Sequence, residues 1–160
     1  MKTLLSFFFL FSILNNPTIA EIRKLYPKAA ETEKSAKEFA EKFENSTSTD
    51  KVLMAYKGAS ITVVAKFQKK VGDKIRKFKE GAKCIEQSVL NDPNNIEIRF
   101  IRLSVQENVP GIVKYKMNIK EDKNFLLTHF DEQSGPLKEY LKSFILQSKS
   151  FSAQEKQTIK

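Results

Sequence analysis

A line of polar residues on the segment 96–108 is the first feature of the sequence that could do chemistry. Arg99, Arg102 and Gln106 are spaced three and four residues apart, which places them on one face of a helix, between two lines of apolar residues. Arginine pairs with carboxylates through two parallel hydrogen bonds. On a helix that is covered on two sides, this set, called the Arg line below, predicts either a binding groove or an internal ion pair.

The two interpretations of the Arg line predict different partners. In the groove interpretation the arginines clamp an acidic group or a peptide backbone, and Tyr56 and Tyr115 line the same groove. In the ion-pair interpretation a buried carboxylate, for instance that of Glu86 or Asp122, faces the guanidinium groups. The sequence leaves both open, because it does not show whether this face of the helix meets solvent.

A basic cluster lies near the middle of the chain. Eight basic residues fall within residues 66–83, where only Asp73 and Glu80 are acidic: Lys66, Lys69, Lys70, Lys74, Arg76, Lys77, Lys79 and Lys83. We define the basic surface as Lys66, Lys69, Lys70, Lys74 and Lys77. It is typical of a solvated helix face, and it could also dock on anionic lipid headgroups. The sequence disfavours nucleic acid as a partner, since the lysines are not regularly interleaved with aromatic residues that could stack on bases.

Catalytic and metal-binding chemistry have little support in the sequence. His129 is the single histidine, so a site with several histidine ligands is impossible. Its position suits the end of a helix, where a positive charge is favourable. No phosphate-binding loop, zinc-protease motif or nucleophile elbow is present. We therefore predict a protein that is not an enzyme and that has no cofactor, no catalytic residues and no metal site.

The first twenty residues resemble a secretory signal. One positive charge at Lys2 precedes an apolar run over residues 4–14, and a small-residue site ends at Ala20. The run is too short to span a bilayer core, which takes roughly 20 residues. We expect cleavage after Ala20 and export, to the periplasm or cell envelope if the organism is a bacterium. Export also disfavours nucleic acid as the reason for the charge, which changes from +9 to +8 when Lys2 is lost.

Cysteine usage fits an exported chain that is held together by packing. Cys84 is the only cysteine, so no internal disulfide can form. We expect Cys84 to be a small buried apolar residue, and no disulfide-linked partner.

The elements that must position these residues have helical periodicity, which predicts an all-α fold. We expect one helical domain over residues 21–147 and a polar tail or short helix over 148–160. The predicted helices occupy the following places: 31–44, a segment opened by Asp50, a segment opened by Asp73, 96–108, a segment opened by the capping-box spacing of Asn118 and Glu121, and a segment opened by Pro136. A capping-box spacing at Ser152 and Glu155 could open the short final helix.

The middle of the chain resembles a tetratricopeptide (TPR) repeat over residues 53–105. Gly81, Ile85, Ser88 and Pro93 stand at the offsets of its second helix and linker, and residues 56–59 resemble part of its first helix. The unit is longer than a standard repeat, and only one and a half units are visible. The resemblance implies antiparallel helical hairpins in a short α-α superhelix; an irregular helical bundle is the alternative. The chain also resembles small exported helical proteins of Bacteroidota-type bacteria.

These observations predict a non-enzymatic binding protein. The expected role is a module of the cell envelope that binds a protein or peptide partner, because helical hairpins commonly present such surfaces. The alternative is a basic protein associated peripherally with an anionic membrane surface.

Overall fold

The chain is all-helical in the computed structural model, which describes residues 16–159. That range contains eight α-helices and no strand, so the predicted all-α class is confirmed. The helices are α1 Ile19–Leu25, α2 Glu33–Glu41, α3 Lys51–Lys66, α4 Val71–Asn91, α5 Ile96–Asn108, α6 Ile119–His129, α7 Gly135–Gln147 and α8 Ala153–Gln157. Short 3₁₀ turns cover Tyr26–Lys28 and Gly111–Val113.

The N-terminal helix α1 is tied to the rest of the molecule. Thr18 and Glu21 form a capping box at its start, and Ile22 is fully buried. Before it, Asn16 Oδ1 accepts hydrogen bonds from Ser46 Oγ at 2.9 Å and from the Thr47 amide at 3.0 Å. The expected cleavage point after Ala20 therefore lies inside a capped helix. Residues 1–15 of the predicted signal lie outside the described residues, and the cleavage stays a prediction.

Helices α3 and α4 form an antiparallel hairpin in which two backbones touch. Gly58 on α3 faces Gly81 on α4, and a Cβ atom on Gly81 would lie 2.5 Å from the carbonyl oxygen of Gly58. Helix α3 is buried on more than one side, as its apolar pattern predicts. The glycines thus let the two helices approach more closely than side chains would permit.

One predicted helix start is wrong, and one predicted capping box does not form although its helix begins where it was expected. Helix α4 begins at Val71 with Lys70 at its N-cap, so Asp73 lies in the first turn, where a negative charge is favoured by the helix dipole, and does not cap it. Asn118 is at the N-cap of α6, but its amide donates to Glu121 Oε2 at 2.9 Å, so the predicted capping box is not formed. The Ser152 capping box does form, and opens α8.

Helix α5 is the centre of the fold. Eleven of its thirteen residues are buried, and it contacts α3, α4, α6 and α7. Asn95 Oδ1 caps it by accepting from the amides of Glu97 and Ile98. The predicted bounds agree with the observed ones, and so does the central position expected from two apolar lines.

Candidate functional site

The Arg line meets a buried carboxylate on α6. Asp122 is fully buried and accepts from Arg102 Nε at 2.7 Å and from Arg102 Nη2 at 2.7 Å, one bond to each of its oxygens. Arg99 Nη1 adds a third bond at 3.0 Å. Two parallel bonds from one guanidinium group make this a bidentate pair, the strongest geometry open to arginine.

Two more carboxylates complete this ion-pair network. Glu121 accepts from Arg99 Nη1 at 2.5 Å, and Glu86 accepts from Arg102 Nη1 at 3.0 Å and from the Tyr115 hydroxyl at 2.6 Å. The network therefore comprises two arginines, three carboxylates and one phenol. Hydrogen bonding by Asn118, followed by that of Arg99, lowers the pKa of Glu121 below its usual value.

The ion-pair interpretation of the Arg line is confirmed, with both of the partners named from the sequence. The side chain of Arg102 is 5% exposed and that of Asp122 is not exposed at all, so the bidentate pair offers no open surface to a ligand. Burial lowers the pKa of Arg102, but the hydrogen bonds and charges of Asp122 and Glu86 together outweigh it and raise that pKa above its ordinary value. A clamp for a peptide is therefore not what this geometry provides.

The remaining members of the expected groove are dispersed. Tyr56 is fully buried and donates to Glu97 Oε1 at 2.8 Å, in a second ion pair between Glu97 and Arg23. Gln106 is also fully buried, and its Oε1 has no hydrogen-bond partner among the described residues. The structure thus joins Tyr115 to the Arg line through Glu86, and separates Tyr56 from it.

The Arg23–Glu97 pair is a feature that sequence reasoning missed. Arg23 Nε and Nη2 donate to the two oxygens of Glu97 at 2.8 and 2.6 Å, and the Glu97 side chain is 4% exposed. Glu97 stands among apolar residues on α5, which was a signal that it is buried. Arg23 lies 74 residues away in the chain, so nothing in the sequence identifies it as the partner.

All four tyrosines of the chain are held in a neutral form by burial. Burial raises the pKa of Tyr26 to about 12 and moves the pKa values of Tyr56, Tyr115 and Tyr140 well above the ordinary value of 10. The unfolded chain would release these protons near pH 10, whereas the folded chain keeps them to higher pH. The free energy of unfolding should therefore fall as pH rises above 10.

We expect this difference to be visible in an alkaline titration. Tyrosinate absorbance should rise only together with loss of the helical circular dichroism signal, in one transition above about pH 11. The same chain in urea should titrate near pH 10 and serves as the control. Tyrosinate that forms near pH 10 while the helices persist would contradict the burial described for these side chains.

A pocket between the helices combines apolar walls with charged residues in its lining. It has a volume of about 560 Å³ and lies among α3, the start of α4, the end of α5, α7 and both 3₁₀ turns. Its walls are mainly apolar and include Val63, Ile75, Phe78, Phe100 and Phe144. Because the lining comes from segments spread over more than a hundred residues, no local pattern in the sequence indicates this pocket.

The mouth of the pocket is apolar and basic. Val71 and Ile112 line it and are 66% and 78% exposed. Lys66 and Lys74 line it too. Glu107 is the one acidic residue in the lining, and it accepts hydrogen bonds from Ser148 and Ser150 at 2.5 and 2.9 Å.

The predicted basic surface reaches this mouth at Lys66 and Lys74, two of its five lysines. Its five lysines form no ion pair with any residue that the structure describes, although Lys66 donates to the Ala30 carbonyl at 2.7 Å. Lys69 and Lys70 fall between the two lining lysines in the chain, and Lys77 is half-buried. At the pocket, Lys66 and Lys74 therefore have no carboxylate partner among the described residues.

The other residues considered for chemistry lie apart from the pocket. His129 ends α6 as expected, where its Nδ1 is 2.9 Å from Glu132 and its ring lies against Phe125. Cys84 is half-buried, more exposed than expected, and is not bonded to another cysteine. Within residues 16–159 there is no group of three or more His, Cys, Asp or Glu residues that could hold a metal ion.

Together the fold and the site define an all-helical protein with an apolar pocket between its helices. Comparisons with protein-family models, curated proteins and solved structures give no significant match. Of the helices in the described part of the chain, none has the length and apolar composition to cross a membrane.

Proposed function

We propose that the chain is a non-enzymatic binding protein that holds an apolar group of its partner in the pocket. The observation that carries this proposal is the pocket itself, with its volume of about 560 Å³ and mainly apolar lining. Sites for small ligands typically measure roughly 300–1,000 Å³ and combine apolar walls with a few polar groups. The buried hydroxyl of Tyr140, which lines the pocket and has no hydrogen-bond partner among the described residues, is one such group.

The protein or peptide partner expected from the sequence would use this pocket and not the Arg line. A large apolar side chain on the partner would fill it, and exported localisation in the cell envelope remains part of the proposal. The TPR-like arrangement is also retained as a proposal. It is supported by the contact of Gly58 with Gly81, because the repeat uses small residues where its two helices meet.

Peripheral binding to an anionic membrane is a second candidate. It is favoured by the exposed apolar side chains of Val71 and Ile112 beside lysines that have no ion-pair partner among the described residues. Each basic residue near an anionic surface contributes about 1 kcal/mol. This function predicts binding to anionic vesicles that added salt weakens.

The pocket can be tested with an uncharged environment-sensitive dye such as Nile red. The wild-type chain should bind it with enhanced fluorescence, and Ser143→Trp should weaken that binding about tenfold, because an indole at this exposed lining position would occupy the mouth. Ala153→Trp, at an exposed position outside the lining, is the matched control. Equal dye binding by both variants, or none by the wild type, would overturn the proposed function.

A further inference from the structure

The distribution of charge around the pocket limits the kind of ligand that fits it. Two lysines, Lys66 and Lys74, are part of the lining, and both are exposed. The only carboxylate in the lining, Glu107, is hydrogen-bonded to two serine hydroxyls and is not paired with either lysine. Asp73, next to Lys74, is paired with Arg76 at 3.0 Å. The mouth is therefore positive and complements an anionic group.

The interior complements a different part of the same ligand. The walls behind the lysines are formed by aromatic and aliphatic side chains from six elements, and Val71 and Ile112 extend this apolar surface out to the solvent. Burial of a hydrocarbon group there is favourable at roughly 25 cal/mol per Å² of apolar surface. A ligand with an apolar body and a negative head would satisfy both regions at once.

We propose that the pocket binds a single-chain anionic amphiphile, such as a fatty-acid carboxylate, with its chain inside the pocket and its head group at Lys66 and Lys74. This inference rests on the part of the proposed function by which the pocket takes an apolar group, and it names the chain of a free amphiphile as that group in place of a side chain of a protein partner. Lys66 lies at the end of α3 and Lys74 in the first turns of α4, so the two cations flank the loop between these helices. A carboxylate at the mouth can accept from either ammonium group, in charge-assisted hydrogen bonds.

The head-group assignment can be tested with ligands that differ only in charge. Dodecanoate, dodecanol and dodecylammonium, below their micellar concentrations, are used to displace Nile red from the full chain. Dodecanoate should bind at least about tenfold more tightly than dodecylammonium, since its carboxylate can accept charge-assisted hydrogen bonds from the lysines and an ammonium group cannot. Lys66→Glu/Lys74→Glu should reverse this order without loss of dye binding.

A second double variant controls for the change in net charge. Lys120→Glu/Lys149→Glu makes the same change at two exposed positions outside the lining, and should keep the preference for dodecanoate. Equal affinity for the three ligands, or the same ligand preference in the two double variants, would overturn the head-group assignment. Binding of Nile red would still support the proposed function in that case. Failure of Nile red itself to bind would instead overturn the proposed function.

An experiment with vesicles distinguishes a free amphiphile from a membrane surface as the ligand of the lysines. If the chain sediments with anionic phosphatidylglycerol vesicles, if Lys66→Glu/Lys74→Glu abolishes this, and if dodecanoate fails to displace the dye, then the lysines serve a bilayer and the amphiphile proposal is wrong. We expect dodecanoate to displace the dye, and we expect the chain to sediment with neither anionic nor neutral vesicles.

Discussion

Asp122→Ala is expected to lower the free energy of unfolding by about 3–5 kcal/mol, the range found when one partner of a buried ion pair is removed. The substitution leaves Arg102 buried without its bidentate partner and removes a bond from Arg99. The lower part of the range is the better estimate, because Glu86 still accepts from Arg102. Such a loss is a large part of the 5–15 kcal/mol that stabilises a typical domain.

Urea unfolding followed by circular dichroism measures this effect. Asp131→Ala is the matched control, because the Asp131 side chain is 86% exposed and loses only one contact, 3.5 Å from its Oδ1 to Lys138 Nζ. Its effect on the free energy of unfolding should stay within about 0.5 kcal/mol. Arg102→Ala should also be strongly destabilising, and the double variant should lose less than the sum of the two. If Arg102→Ala left the stability unchanged and weakened ligand binding, the groove interpretation of the Arg line would regain its place.

Gly81→Ala is expected to lower the free energy of unfolding by about 2–3 kcal/mol, near the upper end of what an added methyl group costs in a packed interior. The new Cβ would lie 2.5 Å from the Gly58 carbonyl oxygen and 2.9 Å from the Thr62 amide nitrogen. Both are backbone atoms, so relief requires α3 and α4 to move apart along their contact.

Gly72→Ala provides the control for this prediction on the same helix. No atom lies within 4 Å of the Cβ position at Gly72, so only the helix propensity of alanine acts there, with a gain of at most about 1 kcal/mol. The midpoints of thermal and urea unfolding should therefore fall for Gly81→Ala and rise slightly for Gly72→Ala. A neutral Gly81→Ala would mean that the hairpin does not depend on close contact of its backbones.

The elements governed by local chemistry could be predicted from the sequence. The bounds of α5 follow from the Asn95 cap at one end and Pro110 just beyond the other, and its central position follows from its two apolar lines. The start of α4 could not be placed, because Gly72 and Asp73 have the composition of a break and yet are tolerated in a first turn. Local signals alone do not distinguish these two cases.

Of the candidate site, only the ion pairs of the Arg line could be predicted from the sequence. A buried arginine requires a carboxylate, and Glu86 and Asp122 could be named because they lie on neighbouring helices, 16 and 20 residues from Arg102. The Arg23–Glu97 pair and the pocket depend on how α1 and α7 pack against α5, which no spacing along the chain encodes. The lysines were visible in the sequence, but their position at a pocket mouth was not.

The burial of α5 has a consequence for how this sequence can change over evolutionary time. A helix enclosed on nearly every side, with charged groups paired inside the fold, can accept few substitutions one at a time, whereas the exposed lysines can exchange freely with other polar residues. In distant relatives we expect identity to persist along residues 95–106, and Arg102 and Asp122 to change only together. Lys66 and Lys74 should persist only in those relatives that bind an anionic ligand.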